Sequence, residues 1–125
     1  MSERVVMIKE ANVTVMISDM NRSIEFYVEK LGLTLKSRYG DQFAEVACPG
    51  LTIALHPATE HGPRPGNSES LSVGFGVESI DEAMVDLKDK GVTIGRVSND
   101  GPVKLAFFKD PDGNPLYLSQ TQKWG

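Results

Sequence analysis

The chain has 125 residues, 40% hydrophobic and 24% charged, which suits one globular domain with a real core. Thirteen Lys and Arg against seventeen Asp and Glu leave a net charge of -4. The basic residues are scattered rather than striped, which argues against nucleic acid as a partner. The single Cys48 excludes an internal disulfide, no stretch of about 20 apolar residues could span a membrane, and Met1–Arg4 lack a leader's apolar run; a soluble cytoplasmic protein with no membrane partner is expected.

Ala11 to Ser18 alternates and is rich in Val and Ile, the pattern of a strand. Val13, Val15 and Ile17 share one face; Asn12, Thr14 and Met16 share the other. Asp19 or Asn21 can cap the helix that follows. Ile24, Tyr27, Val28 and Leu31 form its buried stripe with Phe26 at the margin, and Gly32 ends it. Strands are expected at 34–39, 43–47 and 51–56, separated by Gly40-Asp41 and Pro49-Gly50. From Pro57 to Ser70 the composition turns to Pro, Gly and polar residues: a linker between two halves, or a loop over a site.

The pattern then restarts. Residues 71–77 alternate as a strand. Ser79-Ile80-Asp81-Glu82 has the spacing of a capping box. Ala83, Met84, Leu87 and Lys90 continue a helix that Gly91 stops, and strands follow at 92–97, 103–108 and 115–119. Two copies of strand-helix-strand-strand-strand result, in which Asn12 matches Ser72, Asp19 matches Ser79, Gly32 matches Gly91 and Ala54 matches Tyr117. Alternation sets Val13, Val15, Ile17, Val73, Phe75, Leu116 and Leu118 toward the helices.

Between the last two strands lies Asp110-Pro111-Asp112-Gly113-Asn114. Pro111 pre-sets the first inner position of a turn, Gly113 accepts a left-handed backbone, and Asp110 can bond back to nearby amides. The pentapeptide lacks the downstream glutamate of a calcium loop. This turn, together with Val15-Met16-Ile17-Ser18-Asp19-Met20, Phe26-Tyr27 and Leu31-Gly32-Leu33, resembles the vicinal oxygen chelate superfamily, over about residues 8 to 120. That group includes glyoxalase I, extradiol dioxygenases, fosfomycin-resistance transferases and bleomycin-binding proteins. The resemblance implies an α+β fold of two tandem βαβββ modules forming a curved sheet cleft. Within one domain, 1–125, module one would span about 8–57, the linker about 58–69 and module two about 70–120. It also implies a homodimer, and so does the need to cover open sheet edges.

In metal-dependent members, four inward positions supply His, Gln or Glu ligands. By motif they fall here on Asn12, Ala54, Ser72 and Tyr117: an amide, a methyl, a hydroxyl and a phenol, none a good ligand for a divalent ion. The resulting expectation is a non-metal protein without cofactor that holds a small organic molecule. Its candidate contacts are Asn12, Thr14, His56, Ser72 and Tyr117. The alternative is a glyoxalase-like lyase, isomerase or dioxygenase with atypical ligands.

His56 lies two residues past Ala54 and reads equally as a ligand contact or as a strand-end residue bonding the following loop. A His56/His61 metal pair lacks a carboxylate partner. Tyr117 could stack on a flat ligand or fill the volume left by Ala54, Gly74 and Gly76. Arg38, Glu45 and Lys104 could face the cleft. Cys48 reads as an inert small hydrophobe, and Trp124 could cover an edge. No nucleophile–base pair, phosphate loop or redox cysteine pair is present.

Overall fold

A computed structural model describes residues 7–67, 70–99 and 102–121; Met1–Arg4 and Trp124 lie outside them. The first module consists of β1 (Val13–Ile17), α1 (Met20–Ile24), β2 (Thr34–Tyr39), β3 (Phe43–Cys48) and β4 (Leu51–Pro57). The second consists of β5 (Val73–Gly76), α2 (Ile80–Asp89), β6 (Val97–Ser98), β7 (Val103–Lys109) and β8 (Pro115–Thr121). Each module builds one four-stranded sheet, ordered β1-β4-β3-β2 and β5-β8-β7-β6. In both, the first strand runs parallel to the last, with Thr14 beside Ala54 and Gly74 beside Tyr117. The repeat read from the sequence is therefore a repeat in structure.

The caps follow from residue chemistry. Asp19 accepts from the Arg22 amide at 3.0 Å, and Ser79 accepts from the Glu82 amide at 3.2 Å. A single hydrophobic core takes in Ile17, Tyr27, Val46 and Leu55 from one module and Ile80, Ala106, Phe108 and Leu116 from the other. Of the residues expected to face the helices, Val15, Ile17, Leu116 and Leu118 are buried, while Val73 and Phe75 pack partly buried against the core. Val13 departs from the set: it begins an edge strand and is 38% exposed.

Four further expectations are corrected. Phe26 is core, not margin. α1 runs directly into a π-helical stretch, Glu25–Lys30, whose wider turn brings Phe26 and Tyr27 inward together. Arg38 turns to the helix side, donating to Asn21 at 2.7 Å and Asp41 at 2.9 Å, because β2 has a register shift between Leu35 and Ser37 that reverses the alternation beyond it. Lys104 sits opposite Gln120, which accepts from the first amide of α2 at 2.8 Å, so it too lies on the helix side. Last, the strand expected over 92–97 is regular only at Val97–Ser98; Gly95 and Arg96 still bond to Phe107, and the chain before them leaves the sheet.

The Asp110–Asn114 turn joins the modules. Asp110 is buried and accepts from the Tyr27 hydroxyl at 2.7 Å, the Asp112 amide at 2.9 Å, and the Asn114 amide and side chain at 2.8 Å each. Asp112 accepts from the Ser18 amide and hydroxyl and from Arg22 at 3.2 Å. Asn114 donates to Met16 O at 3.0 Å and accepts from the Gly66 amide at 2.9 Å. Gly66 has φ +72°, and a Cβ there would lie 2.4 Å from Asp112 O, so only glycine fits where the 58–67 segment meets the turn.

Candidate functional site

The faces of the sheets turned away from the helices hold the residues whose side chains do not enter the core. On the second sheet, Tyr117 lies across Gly74: a Cβ added to that glycine would sit 2.1 Å from the ring's Cζ. The missing side chain is what lets the phenol lie flat on the neighbouring strand. Phe107 stands beside it across the β7–β8 pairing, ring centroids 6.1 Å apart and planes inclined by 44°. Beyond it, the Arg96 guanidinium lies 4.9 Å from the centre of the Phe107 ring. At Gly76, one step along β5, an added Cβ would meet nothing within 4 Å. Of the two small residues on this strand, Gly74 is spent on packing Tyr117 and Gly76 leaves open space.

On the first sheet the equivalent face carries Thr14, Ala54, Glu45 and His56. Ala54 is buried and flanked by Thr14 on β1 and Glu45 on β3. Glu45 accepts from the Ser37 hydroxyl at 2.9 Å. His56 is half-buried, and its Nδ1 lies 2.8 Å from the carbonyl oxygen of Pro57, so the end of β4 itself holds the ring. Asn12 and Ser72 are exposed, each just ahead of the first strand of its module. Thr14 and Ser72 come together with Arg64 and Asn67 around a cleft of about 460 Å³ between the leading strands of the two modules. His56 and Tyr117 are not among the residues lining that cleft.

Sequence reasoning missed Phe107 and Arg96. A signal for the first was available: counting outward from the Asp110–Asn114 turn pairs Lys109 with Pro115, Phe108 with Leu116 and Phe107 with Tyr117. Arg96 could not be found that way, since it precedes β6, which is regular only at Val97–Ser98.

A divalent metal does not fit the donors present. Thr14, Ala54, Gly74 and Tyr117 adjoin one another in two pairs, and Asn12 and Ser72 add an amide and a hydroxyl. Among the described residues, no three His, Cys, Asp or Glu side chains converge. The nearest approach to a ligand set, Glu45 with His56, offers two donors where three or four are needed, and both already have partners. Burial pushes the Cys48 thiol up, against a smaller opposite effect of its contact with Leu51 O at 3.4 Å, so nothing here activates it as a thiolate. Among the described residues, no helix is long and apolar enough to cross a membrane.

Two βαβββ modules, each with its first and last strands parallel and a polar turn locking the second onto the first, define a glyoxalase-type fold. Residues 10–118 match the Glyoxalase/Bleomycin resistance protein/Dioxygenase superfamily, and the chain belongs to it. It is 32% identical over 111 residues to the glutathione transferase FosA of Serratia marcescens, covering 86% of this chain and 77% of that one. Among solved structures, the antibiotic-binding protein TnmS3 of Streptomyces sp. CB03234 superposes with a TM-score of 0.71 at 27% identity, over 93% of this chain and 100% of that one. A glyoxalase family protein of Bacillus anthracis gives 0.75 at 18% identity, over 96% and 100%; that likeness is one of fold.

Proposed function

We propose that this chain is a small-molecule binding member of its family that holds a planar organic ligand against Tyr117 and Phe107, without a metal ion. The observation that carries the reading is the Tyr117 ring lying on Gly74 beside Phe107, with open space at Gly76. Rings fixed flat on a sheet offer π faces at little conformational cost, and the Arg96 guanidinium at the end of the row supplies a polar handle. The donor set supports the absence of a metal, because nothing on this face can polarise a substrate oxygen as a bound ion would. The likeness to an antibiotic-binding protein supports the ligand class: antibiotics with flat ring systems are the first compounds to try.

Thermal-shift titration with such a panel tests the reading. A ligand that raises the Tm of the wild type should bind Tyr117→Ala more weakly by about 1–3 kcal/mol, the usual worth of one stacked ring. A hit whose affinity ignores Tyr117 would refute the site. Mixed with methylglyoxal and glutathione, the protein should show no isomerisation.

We also infer a homodimer, since edge strand β2 presents Leu35 and Tyr39 at 40% and 66% exposure. A monomer by sedimentation at micromolar concentration would contradict it.

A further inference from the structure

A cleft of about 720 Å³, within the range of small-molecule sites, opens where residues 91–94 part from the end of β7. Its apolar floor includes the buried rings of Phe26 and Phe108. Around it stand Arg22, Lys30, Arg96 and Lys109, four of the thirteen basic residues of a chain whose net charge is -4. Arg22 pairs with Asp112. Among the described residues, Lys30, Arg96 and Lys109 have no ion pair. The carboxylate on the wall, Asp110, is buried, directs its oxygens to four hydrogen bonds within the turn and from Tyr27, and makes no ion pair with these cations among the described residues. Cations gathered over an apolar floor, against the sign of the whole protein, favour a ligand that carries both features.

We propose that this cleft binds an amphipathic organic anion, with an apolar or aromatic body on the Phe26–Phe108 floor and a carboxylate, sulfonate or phosphate facing Lys30, Arg96 and Lys109. The cleft adjoins the Tyr117 platform and shares Arg96 and Phe107 with it, but Tyr117 does not line the cleft.

The aromatic sulfonate 8-anilinonaphthalene-1-sulfonate is a direct probe, because its fluorescence rises on apolar burial and it carries one negative charge. It should bind the native protein saturably, and more weakly in about 0.5 M salt. A Lys30→Gln/Lys109→Gln variant should raise its Kd roughly tenfold, the effect of losing one charge-assisted contact. Among the described residues neither lysine side chain has a hydrogen-bond or ion-pair partner, so the variant should keep the wild-type circular dichroism and Tm. The uncharged analogue N-phenyl-1-naphthylamine should change by less than about twofold in that variant, and Tyr117→Ala should leave the sulfonate's affinity alone. The proposal is overturned if the sulfonate shows no saturable binding, if the double variant binds it as the wild type does, if both probes weaken equally, or if Tyr117→Ala abolishes its binding.

Discussion

The turn at the tip of the β7–β8 hairpin and the helix-free face of its strands are only a few residues apart, yet they are built on opposite plans. The tip is dense with acids and amides, the residue types that draw attention in a search for chemistry, and every one of them is used internally. Asp110, Asp112 and Asn114 are tied to Tyr27, Ser18, Arg22, Met16 and Gly66. The strand face is chemically plain, two rings and a guanidinium, and those side chains have no hydrogen-bonded partner in the described protein. A polar cluster whose bonds are all satisfied within the chain is structure. Surface left with unspent contacts is where a ligand can add something.

The sharpest way to break that comparison is Asp110→Ala. It orphans the buried Tyr27 hydroxyl and the amides of Asp112 and Asn114, at about 1–3 kcal/mol per buried group, so urea denaturation should show a loss of roughly 3–5 kcal/mol. A loss below about 1 kcal/mol would mean that the tip does not hold the modules together. Tyr27→Phe comes next, with an expected cost of about 1–2 kcal/mol at neutral pH, because one buried bond goes and Asp110 keeps its other donors.

The same pair yields a pH signature. Burial first, and the Asp110 charge second, raise the Tyr27 pKa above its ordinary value of 10.0. A raised pKa means the folded state holds its proton where the unfolded chain releases it. The contribution of this group is therefore complete below pH 10 and falls away above it. Wild-type stability should decline above about pH 10 more steeply than that of Tyr27→Phe; equal slopes would show that the hydroxyl is not buried against Asp110. The smallest stability effects belong to the strand face. Gly74→Ala displaces the free end of the Tyr117 ring and should weaken ligand binding by up to the ~1–3 kcal/mol expected of Tyr117→Ala while changing stability by less than about 1 kcal/mol. Gly76→Ala meets open space and should stabilise by about 0.5 kcal/mol. If the two glycines behave alike, the platform is not what Gly74 is for.

Most of the fold was legible because it depends on local rules. Helix-stop and turn residues bounded β2 at its observed ends, the Ser79 cap and the choice of Asp19 or Asn21 were readable from residue type, and the repeat carried the topology. What escaped depended on departures from period. The π-helical turn moved Phe26 inward, the shift in β2 reversed Arg38, and the loss of strand before Val97 opened a cleft that no alternation could announce. The locking role of the turn was equally invisible. Its sequence showed a tight turn, but Tyr27 lies 83 positions away from Asp110, and long-range partners leave no local trace. Of the site, the residue types at Asn12, Ala54, Ser72 and Tyr117 were readable directly. Where Tyr117 points was not, since the sequence allowed stacking on a ligand and filling of space alike.

The helix-free face is proposed to bind an organic molecule with no metal ion held by Asn12, Ala54, Ser72 and Tyr117. Elemental analysis of the purified, dialysed protein tests it most directly. The account predicts far less than one equivalent of zinc, manganese, iron or nickel per chain, because no three strong donors meet there. About one equivalent per chain that survives dialysis would contradict it, and would make His56 and Glu45 the first ligands to replace.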